Sequence, residues 1–235
     1  MATDLTKESA LALIDQTLLR PDLPEASYKQ WIIENSKRGF ATLFVPPCYV
    51  PLASMICLET DTRVGSVAGF PLGYTVRHTK MQAVKDLIDR GCEEIDFVTN
   101  ISFLKSGNDG EYFGELRDIK GYASTRKTIR GEKVVLKGII ECCYLTEDEK
   151  RWAVEHLARA EIDFVKTSTG FATHGATVAD VSLLVASAHG RIQIKASGGI
   201  RTKAELEAMV NAGATRIGTS NGDNIIADFI TLPDF

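Results

Sequence analysis

The chain has 235 residues, of which 44% are hydrophobic and 25% are charged, and its formal net charge is −4. This composition is typical of one domain of the larger α/β kind, so we expect a single domain over residues 1–235. No stretch concentrates enough Lys or Arg to predict a nucleic-acid or membrane surface. A small-molecule partner is therefore expected.

Cysteine usage predicts a compartment. The five cysteines are odd in number and contain no Cys-x-x-Cys pair; they are Cys48, Cys57, Cys92, Cys142 and Cys143. This pattern predicts reduced thiols and a cytoplasmic protein. The first 15 residues carry charges and too short an apolar run for a signal peptide, and no segment reaches the roughly 18 apolar residues of a membrane span.

Strand-like and helix-like segments alternate along the chain. A short helix opens at Thr6, and the predicted strands cover residues 11–19, 40–45, 63–68, 94–99, 134–141, 164–168, 192–196 and 215–219. The predicted helices cover residues 25–38, 76–90, 112–129, 147–159, 178–187 and 203–211, with a short one from Asp223. Gly39 and Gly91 follow helices, as expected for C-terminal caps.

Eight strands that alternate with helices over this length predict parallel pairing in a single-domain (β/α)8 barrel, the TIM barrel. The alternative is an open, doubly wound sheet. The first strand is not followed by the Gly-x-Gly-x-x-Gly turn that dinucleotide-binding members of that class carry. We therefore favour the closed barrel.

Alternation along the strands predicts which charged side chains face the barrel axis. Ile95 and Phe97 take the outer parity in their strand, which leaves Asp96 inside. The same reasoning turns three lysines, two glutamates and the aspartate inward and puts Asp15 at the upper end of the first strand; the inward charged set is Glu94, Asp96, Lys137, Glu141, Lys166 and Lys195.

Such a cluster predicts a nucleophilic amine. Salt-bridged charges without a catalytic role are the alternative, but three lysines exceed what Asp96 alone neutralises. Crowded ammonium groups force at least one lysine to lose its proton, which makes it a nucleophile. Lys137 lies further from its turn and therefore deeper, so Lys166 and Lys195 are the candidates, and parity does not choose between them.

Two glycine-rich turns follow the last two predicted strands. Their sequences are SGGIR at residues 197–201 and GTSNG at 218–222, and the second leads into a short helix. Backbone N–H groups freed by glycine bind phosphate, and the loops after strands seven and eight are its usual place in this fold. Ordinary tight turns are the alternative. The pair of turns, together with Arg201, favours phosphate.

The histidines give no sign of a metal site. No two of them have metal-ligand spacing, and a surface position is predicted for each; they are His78, His156, His174 and His189. A zinc-dependent aldolase site and a hydrolase nucleophile elbow are both missing from the sequence. We therefore expect neither a metal nor a cofactor.

Several motifs resemble one known family. They are IDQTLL at residues 14–19, GFPLG at 69–73, EID at 94–96, VKTSTG at 165–170, KASGGIR at 195–201 and GTS at 218–220. Together they resemble the deoxyribose-phosphate aldolases, which are class I aldolases, over residues 13–226. The two lysine motifs make the resemblance highly specific.

The resemblance implies a TIM barrel without a metal and a reversible cleavage of 2-deoxy-D-ribose 5-phosphate into D-glyceraldehyde 3-phosphate and acetaldehyde. This reaction belongs to deoxyribonucleotide and carbohydrate breakdown. The resemblance also implies Lys166 as the Schiff-base lysine, Lys195 as the neighbour that helps it lose its proton, and Asp96 as the proton-handling carboxylate. The predicted substrate-binding set is Asp15, Thr17, Lys137, Thr169, Gly170, Gly198, Gly199, Arg201, Gly218, Ser220 and Asn221.

The chain departs from the family pattern at four positions. Gln16 stands where histidine is common, Pro46 where asparagine is common, Asn221 where a second serine is usual, and Phe44 where some members have cysteine. The tail, residues 230–235, lacks the terminal tyrosine of some members.

Two alternative functions remain: a Schiff-base lyase for another phosphosugar, and a non-catalytic phosphosugar-binding barrel. The expected partners are a small phosphorylated sugar and an aldehyde, and self-association would give a dimer or a tetramer.

Overall fold

The computed structural model describes residues 5–229, so the tail at residues 230–235 lies outside the described residues. Eight strands run through this part of the chain. They are β1 (Ile14–Thr17), β2 (Thr42–Phe44), β3 (Arg63–Ala68), β4 (Glu94–Val98), β5 (Val135–Ile139), β6 (Phe164–Lys166), β7 (Gln193–Ser197) and β8 (Arg216–Thr219).

Each strand pairs in parallel with the next, and β8 pairs with β1, so the sheet closes into a barrel. The intervening helices are α1 (Lys7–Leu11), α2 (Glu25–Asn35), α3 (Val50–Cys57), α4 (Arg77–Asp89), α5 (Ile101–Lys105), α6 (Asp109–Ser124), α7 (Glu147–Arg159), α8 (Val178–Ala188), α9 (Lys203–Asn211) and α10 (Gly222–Ala227). The predicted single-domain (β/α)8 barrel is confirmed.

Strand β3 has its predicted bounds, β7 is shifted by one residue, the other six strands are shorter than predicted, and some helices differ. The sequence missed α3 and α5. The first contains Pro51 near its start, and proline is accepted in the first turn of a helix because the N–H it lacks would be unpaired there. Helix α6 begins at an Asn108 cap and ends earlier than predicted, because residues 127 and 133 pair across a turn that holds Gly131 at φ +78°.

Helix starts follow local capping chemistry. Thr146 and Thr202 each begin a capping box, in which the threonine accepts the third helical N–H and a glutamate returns a bond to the cap. Thr177 caps α8 in the simpler way, by accepting the N–H of Asp180 at 3.0 Å. These caps set where each βα unit turns back toward the barrel.

The two faces of the sheet differ in chemistry. Its outer face packs against the helices with fully buried aliphatic residues such as Ile95, Leu136 and Val165. Its inner face carries Glu94, Asp96 and other ionisable groups that are equally buried. Burial of charge without partners is costly, so the inner groups must be paired.

One histidine differs from its predicted surface position. His78, His174 and His189 are exposed, but His156 is only 5% exposed, so that prediction was wrong for it. Its ring stacks on Trp152 with a centroid separation of 3.6 Å, and its Nε2 bonds Asp109 at 2.5 Å. His156 lies on the inner side of α7 because its aromatic neighbours on α6 and α7 bury it.

Candidate active site

A cavity of about 300 Å³ opens at the carboxyl end of the barrel. Such a volume suits a small-molecule ligand. Nine of the predicted site residues line it: Thr17, Lys166, Thr169, Gly170, Gly198, Gly199, Arg201, Gly218 and Ser220. Four others, Asp15, Asp96, Lys137 and Lys195, are buried among the inner barrel charges and are not part of the lining.

Strand register brings the two lysine motifs side by side. Lys166 on β6 and Lys195 on β7 are direct partners in the parallel ladder, and Asp96 on β4 is the partner of Lys137 on β5. Because all four residues have the inward parity, their side chains meet inside the barrel. The structure therefore brings the predicted cluster together.

Asp96 joins the two lysines. Its Oδ2 accepts hydrogen bonds from Lys166 Nζ at 2.7 Å and from Lys195 Nζ at 2.6 Å. Lys195 also donates to Asp15 Oδ2 at 2.5 Å. Lys166 is the member of this hydrogen-bonded series nearest the cavity, because its side chain contacts the cavity while that of Lys195 does not.

Two further charged groups form the base of the cluster. Glu94 accepts from Lys137 Nζ and, at 2.9 Å, from Arg216, which also donates to Asp15 at 2.7 Å. The sequence placed Glu94 on the axis without a role and missed Arg216. The inward parity of Arg216, two residues before Gly218 on β8, is the signal that could have found it.

The cluster holds an excess of positive charge. Its cations are Lys137, Lys166, Lys195 and Arg216, and its carboxylates are Asp15, Glu94 and Asp96. Half-buried Arg63 also approaches Glu94, at 3.5 Å, but it pairs with Glu132 at 2.5 Å. Loss of one lysine proton therefore balances the four cations and three carboxylates.

Burial and neighbouring charges shift the pKa values of this cluster. Burial alone would raise the pKa of Asp15, but the charges of Lys137, Lys195 and Arg216 outweigh it and hold that pKa well below its usual range. Burial likewise opposes ionisation of Asp96, whose pKa is lowered by the surrounding lysines. Burial lowers the pKa of Lys195 to about 8, although Asp15 and Asp96 favour its charged form.

The glycine turns provide unpaired backbone donors beside the cavity. Gly170, Gly198 and Gly199 all have φ between +81° and +86°, the left-handed region that favours glycine. Within residues 5–229, the N–H groups of Gly170, Gly199 and Ser220 donate to no other group. All three residues line the cavity, so their free N–H groups are available as hydrogen-bond donors there.

Glu141 was not in the predicted site, yet it holds one wall of the cavity. This buried residue follows β5 in a left-handed conformation at φ 53°. Its carboxylate accepts the Thr169 hydroxyl at 2.5 Å and the Thr169 N–H at 3.2 Å. The inward parity of Glu141 at the end of the fifth predicted strand is the signal that could have added it to the site.

Two of the positions that depart from the family pattern lie outside the lining. Gln16 points away from the barrel axis, and its Oε1 accepts the Gly222 N–H at 3.0 Å at the start of α10. Asn221 donates its N–H to the Thr219 hydroxyl at 2.9 Å, and its side chain is not among the cavity-lining groups. Both residues therefore shape the β8–α10 turn.

Among residues 5–229, no group of three or more His, Cys, Asp or Glu side chains is arranged to hold a metal ion. None of the helices in this part of the chain combines the length and the apolar character that crossing a bilayer requires.

Comparison with known proteins identifies the family. No family model matches the chain. It is 42% identical over 214 residues to the deoxyribose-phosphate aldolase of Geobacillus sp. (strain WCH70), and the aligned region covers 91% of this chain and 93% of that protein. It is 44% identical over 213 residues to the corresponding aldolase of Streptococcus equi subsp. zooepidemicus, with 91% and 93% covered. This chain belongs to the deoxyribose-phosphate aldolase family.

Solved structures agree with this membership. The deoxyribose-phosphate aldolase of Aeropyrum pernix, described as having a unique tetrameric structure, superposes with a TM-score of 0.85 at 30% identity, covering 95% of this chain and 92% of its own. An aldolase named QR15 superposes with a TM-score of 0.86 at 37% identity, covering 94% and 96%. The solved structures therefore confirm both the barrel fold and the family.

Proposed function

We propose that this aldolase cleaves 2-deoxy-D-ribose 5-phosphate reversibly into D-glyceraldehyde 3-phosphate and acetaldehyde through a Schiff base on Lys166. The observation that carries the proposal is the position of Lys166. Of the lysines within residues 5–229, Lys166 is the one that lines the cavity. It donates a hydrogen bond to the same carboxylate, Asp96, as Lys195 does.

The first half of the reaction uses the amine. Neutral Lys166 adds to the C1 aldehyde of the open-chain sugar. The hydroxyl of the resulting carbinolamine takes a proton and leaves as water, which gives a protonated imine. Removal of the C3 hydroxyl proton sends the electrons of the C2–C3 bond into this imine. D-glyceraldehyde 3-phosphate leaves, and an enamine remains on Lys166.

The second half restores the enzyme. The enamine carbon takes a proton, and water hydrolyses the new imine to release acetaldehyde and the free amine. Asp96 handles these protons through a water molecule, since it is bonded to Lys166 but buried below the cavity. Lys195 donates to the same Asp96 oxygen as Lys166, so it is the second amine at the proton-handling carboxylate.

The phosphate end of the substrate is placed at the glycine turns. The free N–H groups of Gly170, Gly199 and Ser220 and the side chain of Arg201 supply donors there. Holding phosphate at that end fixes C1 over Lys166, so binding energy remote from the reacting bond supports the chemical step. Thr169, Gly198 and Gly218 complete this wall.

Reductive trapping tests the Schiff base. Sodium borohydride added with acetaldehyde should leave one ethyl group on the protein, and peptide mass spectrometry should locate it on Lys166. A Lys166→Arg variant should take up none. Labelling of Lys195 in its place would exchange the two roles, and an unlabelled protein would eliminate the aldolase proposal in favour of a phosphosugar-binding barrel.

Product analysis then separates deoxyribose 5-phosphate from other phosphosugars. The enzyme should release acetaldehyde from 2-deoxy-D-ribose 5-phosphate, measured by coupling to an alcohol dehydrogenase. If Lys166 is trapped but a different phosphosugar is cleaved faster, the protein is a Schiff-base lyase for that other phosphosugar.

Compartment and assembly are part of the same proposal. The five cysteines are free thiols, which supports a cytoplasmic enzyme. For assembly we propose a homo-oligomer, a dimer or a tetramer, supported by the tetrameric relative from Aeropyrum pernix. Light scattering of the purified protein measures it.

A further inference from the structure

One aromatic ring lies inside the charged cluster. Phe44, on β2, is 1% exposed, and its ring centre is 4.0 Å from Lys195 Nζ and 4.7 Å from Lys137 Nζ. An ammonium group that lies over a ring face is attracted by the ring quadrupole, most strongly where water is excluded. This contact is the one non-ionic attraction on Lys195 that the described residues show.

A glycine on the neighbouring strand makes room for the ring. Gly65 on β3 is the direct ladder partner of Phe44. A Cβ atom at Gly65 would lie 2.5 Å from Phe44 Cε2, closer than real Cβ contacts come. Any larger residue at position 65 would therefore force the ring out of its present position.

We propose that Phe44 is a positioning residue that holds the charged form of Lys195 beside Asp96, with Gly65 as the position that lets the ring lie there. This inference rests on the proposed function, because it takes Lys195 as the cation that assists the Schiff-base chemistry proposed for Lys166. Phe44 itself lies outside the cavity lining.

The charges around Lys195 show why a ring matters. Asp15 from β1 and Asp96 from β4 favour its ammonium form, while Lys166 from β6 and Lys137 from β5 oppose it. Arg216 from β8 also forms an ion pair with Asp15, so Lys195 shares this carboxylate with Arg216. The ring of Phe44 attracts the ammonium group of Lys195 without adding a charge to the cluster. It therefore supports the charged form of Lys195 and leaves the charge of Asp96 unchanged.

The test compares two rings in the same barrel interior. Phe164 on β6 is 5.8 Å from Lys137 and 5.4 Å from Arg216, and it makes no ring contact with Lys195 among the described residues. Phe44→Leu therefore removes a ring from Lys195, and Phe164→Leu removes a buried ring of the same size from elsewhere in the cluster.

The readout is the alkaline limb of the pH profile for kcat/KM. In the unchanged enzyme, activity should fall as pH rises through about 8, the pKa to which burial lowers Lys195. Removing the ring withdraws support from the ammonium form, so in Phe44→Leu the limb should move to lower pH by about one unit, or about 1.4 kcal/mol. In Phe164→Leu it should stay in place.

A second readout does not depend on turnover. The pKa of Lys195 is followed directly by NMR of protein carrying ¹³C-labelled lysine, with Lys195→Met to assign the signal. The same downward shift is expected in Phe44→Leu. If trapping on Lys166 failed while this shift appeared, the proposed function would be wrong and the role of Phe44 would stand.

Gly65→Ala provides a variant that keeps the ring but displaces it. It should shift the limb in the same direction as Phe44→Leu, and it should add nothing further in the Phe44→Leu background. An unmoved limb and an unmoved Lys195 signal in both variants, or an equal shift in Phe164→Leu, would overturn the proposal and leave Phe44 a packing residue.

Discussion

Lys166 and Lys195 occupy equivalent positions on neighbouring strands but meet different surroundings. Lys166 is 5% exposed and contacts the cavity, whereas Lys195 is 1% exposed and is held between Asp15 and Asp96. Contact with the cavity therefore distinguishes two lysines that strand register makes equivalent.

The two glycine-rich turns at residues 197–201 and 218–222, where we propose that phosphate binds, lead to a prediction for single side chains. Ser220→Ala removes a hydroxyl donor but keeps the N–H group, and Arg201→Met removes the guanidinium. Each should raise KM for 2-deoxy-D-ribose 5-phosphate by about tenfold or more, because a hydrogen bond to a charged group contributes about 1.5–3 kcal/mol. Steady-state kinetics with the phosphorylated and the unphosphorylated sugar measure the effect.

The unphosphorylated sugar serves as the internal control and should be cleaved nearly as before. Arg90→Met, which removes an exposed arginine outside the lining, should change neither substrate. Equal losses for both sugars would show that the two turns do not hold phosphate.

Among the connections between elements, the turn that follows β5 holds the loop that follows β6. The Glu141 carboxylate accepts hydrogen bonds from the backbone N–H and the hydroxyl of Thr169. The Thr169 hydroxyl in turn accepts the Phe171 N–H at 3.1 Å. The loop from Thr169 to Phe171 lines the cavity. The position of one wall of the site therefore depends on a side chain from another βα unit.

Glu141→Gln tests this dependence. The amide keeps the shape of the side chain but loses the charge that strengthens both bonds, so KM for the phosphorylated sugar should rise by about tenfold, or about 1.4 kcal/mol, with a smaller change in kcat. Glu161→Gln is the matched control, because Glu161 also has a positive φ, 57°, but is exposed. A kcat loss with unchanged KM would contradict a positioning role.

For the whole molecule, the buried charges tie folding stability to pH. Asp15 and Asp96 have pKa values held well below those of the unfolded chain, so their contribution to stability is present above about pH 4 and is lost as pH falls below it. Each carboxylate should lower the free energy of unfolding by about 1.4 kcal/mol per pH unit in that range.

Urea unfolding at pH values from 5 to about 2.5 measures this slope. Asp15→Asn lowers stability at every pH because it leaves Lys195 and Arg216 underpaired, but its slope below pH 4 should be shallower by about one proton. Asp61→Asn, at an exposed position, should keep the full slope. A slope that Asp15→Asn does not change would show that acid unfolding arises elsewhere.

The fold and much of the site were readable from local patterns. Alternating apolar strands and capped helices predicted the barrel, because each pattern reports on neighbours a few residues away. Inward parity placed Asp96, Lys137, Lys166 and Lys195 on the axis, since side chains alternate along any strand. The weaker predictions were strand ends and the short helices α3 and α5, whose lengths depend on tertiary contacts.

Tertiary structure decided which lysine faces the cavity and how the cluster is balanced. Lys195 and Asp15 are 180 residues apart, and Arg216 and Asp15 are 201 apart, so no local pattern records either pair. The sequence by itself determined which groups point inward. Closure of β8 onto β1 decided which of them meet, because only the closed barrel brings the first and last strands within bonding distance.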